Sequence, residues 1–304
     1  MDLIYYLKMD SKLNVLEKKI IELEKELALK EQDLLRYKSE LTKANKTLEK
    51  MIQQVSHELK TAHLIQKVLV PTEYPNMTGV EFSTKFIPGF KKGGNYFDIF
   101  EHEDKLKFGI LLSNSSGYAM SALFLSVLLK LAGQMEARKG LPPDKVIDAM
   151  AKEIQIQMQD QDQTNIFYGV IDRRSFQMDL CQVGDNVVII INGETGKLKI
   201  LEPKNAALSK KFNEPIQLQS IYLNPKDRLV ICSQGLLKAS DISGESFGLD
   251  KLTNSILKAP ASGVHELRNE ILYQIEKFTE NNENAEDITL IVTEVKEKVL
   301  KLAK

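Results

Sequence analysis

Cysteine is scarce and tryptophan is missing: 304 residues hold two Cys and no Trp. Cys181 and Cys232 lie in the apolar stretches MDLCQV and LVICS rather than in CxxC spacing. A disulfide framework and a thiolate zinc site are thereby excluded, and both residues are expected as small core side chains in a reducing compartment. Excess charge is absent too, because 41 basic residues meet 42 acidic ones and leave a net charge of −1. The basic footprint of non-specific nucleic-acid binding is therefore lacking. No run approaches the roughly 18 consecutive apolar residues of a membrane helix. The opening MDLIYYLKMD has neither the apolar length nor the small-residue cleavage site of a secretory signal. Together these absences predict a cytoplasmic protein with no membrane span and no nucleic-acid partner.

Glycine and proline are absent from residues 8 to 60, where Lys, Glu, Leu and Gln dominate. That composition suits one long helix. Within it Leu13, Ile20, Leu27, Leu34, Leu41, Leu48 and Val55 recur at period seven without a break. The second seam, Leu16, Leu23, Lys30, Tyr37, Ala44, Met51 and Glu58, is weaker. An unbroken apolar heptad series predicts a left-handed two-helix coiled coil, and hence a homodimer. Orientation stays open: in a parallel pair Lys19 would meet Glu24 and Asp33 would meet Lys38 favourably, but Glu26 would meet Glu31. The string Val55 to Ala62 is similar to the phosphoacceptor box of histidine kinases. That box usually has Pro where Ala62 stands, and no ATP-binding boxes follow, so His57 reads as a solvated helix residue.

Pro71, Pro75 and Gly79 end the helix and set a domain boundary near residue 71. The expected organisation is a coiled-coil dimerisation and signalling helix over 1–70 and a globular domain over 71–304. Beyond the boundary, nine segments read as strands: 80–87, 95–101, 105–113, 165–172, 176–183, 186–192, 197–202, 228–233 and 287–295. Helical segments over 118–139, 143–160, 248–259 and 262–280 fall in two pairs between them. Close strand spacing implies hairpins and antiparallel sheets, and the order predicts an α+β fold with helix pairs outside the sheets.

Five blocks in this domain carry a resemblance. Leu64 to Pro71 followed by Gly93-Gly94-Asn95-Tyr96-Phe97-Asp98 resembles IQ-x-x-LLP then GGDxYD, and 108–119 resembles GDVSGHG. Residues 227–236 resemble D-x-L-L-L-Y-TDG, 243–248 resemble DGExFG, and 285–290 resemble the closing DD-x-T-L. In this order they resemble the SpoIIE/RsbU-type domain of the metal-dependent type 2C (PPM) protein phosphatases. The resemblance implies an α-β-β-α sandwich of two antiparallel sheets. It also implies two Mg2+ or Mn2+ ions that activate water against a phosphoserine or phosphothreonine, since hard dications take oxygen ligands.

Three positions that the family fills with Asp are amides here: Asn95, Asn114 and Gln234. Asp287 is the acid kept at a metal position, with Gly94, Asp98, Gly117 and Gly235 as neighbouring site residues. Amides offer carbonyl oxygens but no charge, and their NH2 groups point donors at a cation. If outer-shell changes alone cost about 10- to 100-fold, three lost ligands weaken metal binding by at least about 10^3. No cofactor is then expected, or at most one weakly bound ion on Asp287. Asp98, Glu101, Asp104, Asp241 and Glu286 lie near the blocks; strand alternation would turn Asp98 and Glu286 to the wrong side. Around the site Tyr118 and Ala119 replace the family's His and Gly, Lys238 stands where an acid commonly follows TDG, and Lys91 and Lys92 lie nearby. The expected function is a pseudophosphatase regulator or scaffold in partner-switching signalling, binding a STAS or anti-anti-sigma-like protein. Two alternatives remain: a weakly active Mn/Mg-dependent phosphatase, and a structural coiled-coil dimer with an inert head.

Overall fold

The computed structural model describes residues 2–69, 79–89, 94–102, 104–116, 119–137, 140–280, 282 and 284–296. The chain divides into two compact units, 1–58 and 59–304. The first unit is helix α1, which continues as α1 (Asp2–Leu69) into the second. Side chains on α1 are described at 14, 16–57 and 64, so the seam position Leu13 lies outside them. Ile20, Leu27, Leu34, Leu41, Leu48 and Val55 are all more than half exposed. Lys30, at a polar seam position, is paired with Glu26 one turn back at 2.8 Å. Among the described residues no helix is long and apolar enough to cross a membrane.

The second unit is α+β with two antiparallel sheets. The first sheet runs β1 (Val80–Ile87), β11 (Ile288–Val295), β10 (Arg228–Cys232), β6 (Val187–Ile191), β7 (Leu198–Leu201). The second runs β2 (Asn95–Glu101), β3 (Lys107–Ser116), β4 (Gln163–Asp172), β5 (Gln177–Val183), β9 (Gln219–Tyr222), with the short β8 (Leu208–Ser209) beside β4. Four helices cover the outside: α2 (Ala119–Ala137) and α3 (Pro143–Gln155) on the second sheet, α5 (Gly248–Lys258) and α6 (Val264–Thr279) on the first. A one-turn helix, α4 (Gln234–Lys238), follows β10.

Side-chain alternation builds the layers. On β2, Phe97 and Ile99 face the space between the sheets with Phe108, Phe167 and Ile231, whereas Tyr96 faces α2 and α3. On β11, Ile291 and Val295 point between the sheets and Ile288, Leu290 and Val292 point to α5 and α6. Burial of both faces explains why β11 is apolar along most of its length. Helix α3 buries Val146, Ile147, Met150 and Ile154, a stripe at helical spacing, and α6 does the same with Val264, Leu267, Ile271 and Ile275. The sequence-derived strands and helices match those observed to within a few residues at each end; α4, β8 and β9 are additional.

Both cysteines are buried, and burial pushes each thiol up to about 12. The thiolate is the reactive form, so almost none is present near neutral pH. Iodoacetamide at mildly alkaline pH is expected to leave both thiols unmodified in the folded protein and to label both in denaturant. Mass spectrometry of the labelled protein reads this directly, and native labelling at Cys232 would contradict the packing under α5 and α6.

Candidate functional site

The polar end of the sandwich is assembled where β2, β3 and β11 begin or end. Asn95 and Asn114 are register partners across the β2–β3 ladder. The Asn114 amide donates to the Asn95 Oδ1 in a short hydrogen bond. The Asn95 amide nitrogen uses both of its N–H groups, one on the Asp287 main-chain carbonyl at 3.1 Å and one on Thr289 Oγ1 at 2.9 Å. Asn95 is almost fully buried, at 1% exposure. Its amide therefore connects the second sheet to the first through donors that a carboxylate does not possess.

Asp287 is equally buried, and its carboxylate accepts three backbone N–H groups. Its Oδ1 accepts from Gly89 N at 2.8 Å, and its Oδ2 accepts from Gly94 N at 2.9 Å and Asn95 N at 3.1 Å. Glycine at 94 permits this approach, because a Cβ there would overlap the Ser115 carbonyl oxygen. Gly235 is required for the same reason: its Cβ would overlap the Asp287 carbonyl. Beside it, Ser233 Oγ donates to that carbonyl at 3.2 Å and accepts from Thr289 N at 3.0 Å. The start of α4 is thus fastened to the start of β11.

A cavity of about 250 Å³ opens next to this knot, lined by Asn114, Asn165, Asp185, Gln234, Lys238 and Glu286 among others. Gln234 does not join the asparagines. Its amide donates to the Asp185 main-chain carbonyl at 2.7 Å, across the β5–β6 turn. Two acids line the cavity, Asp185 and Glu286, whereas Asp287, the acid expected at a metal position, is not among its lining residues. Neighbouring residues of an extended segment point to opposite sides, and the cavity lies on the Glu286 side. The Glu286 carboxylate is met by the Lys238 ammonium at 3.2 Å.

The other nearby acids are engaged elsewhere. Asp98 faces the α2–α3 side with Tyr96, whose hydroxyl donates to it at 2.8 Å. Asp104 pairs with Arg174 at 3.1 Å, and Asp241 receives Ser243 Oγ and Glu245 N in its own turn. Glu101 ends β2, at the far end of that strand from Asn95, and is exposed. Gly93, Gly117 and Tyr118, with the pair Lys91 and Lys92, lie outside the described residues.

Two divalent ions do not fit this arrangement. Both Asp287 oxygens are occupied by amide donors, the NH2 of Asn95 fills the position between the strands, and a lysine neutralises Glu286. Among the described residues no group of three or more His, Cys, Asp or Glu side chains could hold a metal. The polar chain is a structural joint, and its energetics distinguish the two acids. Asp287→Ala would leave three buried N–H groups without an acceptor and is expected to lower the unfolding free energy by on the order of 3 kcal/mol or more. Glu286→Ala removes a half-exposed ion pair worth about 0–1 kcal/mol. Urea unfolding of the two variants measures the difference, and equal losses would contradict the assignment.

Comparison with known proteins agrees with this architecture. A sequence model of the stage II sporulation protein E (SpoIIE) family matches residues 104–296, well over half of the chain. No curated protein matches. Among solved structures, the SiaA-PP2C domain of Pseudomonas aeruginosa is similar at a TM-score of 0.65 and 15% identity, covering 82% of this chain and 98% of that one. The RsbU and RsbW domains of a Mycobacterium tuberculosis protein give 0.62 and 16%, covering 75% of this chain, which spans 63% of that one. The PP2C phosphatase domain of SpoIIE from Bacillus subtilis, solved with a fragment of its regulatory domain, gives 0.62 and 14%, covering 72% and 63%. At these identities the likeness is one of fold, the PP2C sandwich of two antiparallel sheets between helix pairs. With that fold and the family match over 104–296, the chain belongs to the SpoIIE family of PP2C-type phosphatase domains.

Proposed function

We propose that this SpoIIE-family domain works without catalysis, as a pseudophosphatase regulator or scaffold in signalling of the partner-switching kind. The observation that carries this reading is the direction of the Asn95 amide. It turns two donors toward Asp287 O and Thr289, the interior of the polar joint, where a metal site requires anionic acceptors. Asn114 and Gln234 extend the same substitution, so the domain retains at most one weakly bound ion. A domain that keeps the phosphatase surface but not the metals can bind a phosphoprotein, or its unphosphorylated form, without altering it. The partner proposed is a STAS or anti-anti-sigma-like protein, in line with the RsbU and RsbW domains of the similar mycobacterial structure.

In this reading residues 1–70 form the dimerising and signal-relaying helix, and 71–304 the phosphatase-like domain. The apolar side chains of α1, exposed in the single chain from Ile20 to Val55, support pairing with a second copy. Light scattering is expected to report two chains per particle, and Leu27→Glu with Leu34→Glu is expected to give monomers. A wild-type monomer would remove the coiled coil from the proposal.

Mn2+-dependent hydrolysis of a chromogenic phosphate ester is the direct test of the non-catalytic reading. The purified chain is expected to show no turnover above buffer at any Mn2+ or Mg2+ concentration. Turnover that follows the metal and disappears in Glu286→Ala would establish a weak phosphatase instead.

A further inference from the structure

Three absent carboxylates account for the loss of charge that would hold metals, but not for what became of the acid that remains. Glu286 lines the cavity with its side chain only 17% exposed, and Asp185 lies on the same wall. An acid in a concave, oxygen-rich cavity attracts cations, and Asn114, Asn165 and Gln234 add amide oxygens around it. What stands there is the chain's own cation. Lys238, the last residue of α4, brings its ammonium to 3.2–3.3 Å of both Glu286 oxygens. Its helix is held rigidly at the other end, because Ser233 is bonded to both Asp287 O and Thr289 N.

We propose that Lys238 is a built-in counter-cation: its ammonium substitutes for a metal at Glu286 and is itself a determinant that keeps divalent ions out of the cavity. The inference rests on the non-catalytic reading above and adds to it a second, separable barrier. An ion seated on Glu286 would lie within a few ångströms of a positive charge, and like charges at that range repel strongly even at the dielectric of a protein surface. Restoring carboxylates at the cavity wall is then insufficient while the lysine remains. The substitution is economical in fold terms, since Lys238 is more than half exposed and its removal opens no core cavity.

Calorimetric titration of Mn2+ into the full chain tests this, with Mn2+ electron paramagnetic resonance as a second readout. Asn114→Asp/Gln234→Asp is expected to bind Mn2+ no more than about tenfold tighter than the unaltered chain. Adding Lys238→Met, which keeps the aliphatic stem, is expected to tighten binding at least a further hundredfold, as release of a like charge at contact range would. Adding Lys238→Arg instead keeps the charge and is expected to leave affinity as in the double variant. Lys238→Met alone, the variant least able to disturb folding, is expected to gain at least tenfold over the unaltered chain. Equal Mn2+ affinity with and without Lys238, in both backgrounds, would overturn the inference. Metal-dependent ester hydrolysis by the unaltered chain would instead overturn the non-catalytic reading, so the two failures are distinct.

Discussion

The three amide hydrogens that converge on the Asp287 carboxylate are the contact on which the rest of this end of the molecule depends. Asp287 stands at the entry to β11, in the first sheet, while Gly94 and Asn95 begin β2, in the second, and Gly89 lies on the segment between β1 and β2. One buried side chain therefore fixes the crossing from one sheet to the other. The carbonyl of the same residue receives Asn95 Nδ2 and Ser233 Oγ, which brings α4 into register with both sheets. A buried carboxylate is costly unless its oxygens are fully hydrogen-bonded. Here the backbone supplies the donors, and the glycines at 94 and 235 let the chain come close enough to do so.

From that contact the chemistry of the neighbouring positions follows. A second carboxylate at 95 would set an acceptor against the Asp287 carbonyl, where the amide now donates. With metals present, such acceptor-rich geometry is held together by the cations; without them it would leave buried charges uncompensated. In the proposed non-catalytic reading, neutral amides at 95, 114 and 234 and a lysine beside Glu286 are mutually consistent parts of a site that stands without ions. None of the four changes requires a different backbone, because the hydrogen bonds they make run between strand ends and turns that the sandwich already brings together. In the non-catalytic reading proposed above, loss of metal and retention of fold are compatible for this reason.

Periodicity and turn residues make most of this fold legible in the sequence. The strand over 80–87 alternates from Val80 to Phe86, those over 95–101 and 287–295 are rich in aromatic or β-branched residues, and α3 and α6 carry a clear apolar stripe. What escaped was too short to show a period. Helix α4 is one turn long, and β9 is an outer strand of four residues with two of them exposed. The family pattern located the amides at 95, 114 and 234, but local pattern could not separate Glu286 from Asp287. Adjacent residues of an extended segment face opposite ways, and which way is the cavity depends on α4 through Lys238, 48 residues before Glu286 in the chain. Gln234 shows the same limit: its partner, the Asp185 carbonyl, is set by the β5–β6 turn rather than by anything near it in sequence.

The long helix poses a different physical problem from the sandwich. Isolated helices owe little stability to propensity and most of it to packing of an apolar face. Along α1 the described ion pairs, Glu26 with Lys30 and Asp33 with Arg36, lie on exposed side chains and contribute only tenths of a kcal/mol each. The apolar series from Ile20 to Val55 is exposed throughout in the single chain, which is an expensive surface to leave in water. Glu26 reaches back to neutralise Lys30 at the one strongly polar described seam position, so the interruption costs less than an unpaired ammonium would. A helix with this stripe and so little internal support is stabilised chiefly by whatever covers the stripe. In the proposed dimer that is the same stripe on a second chain.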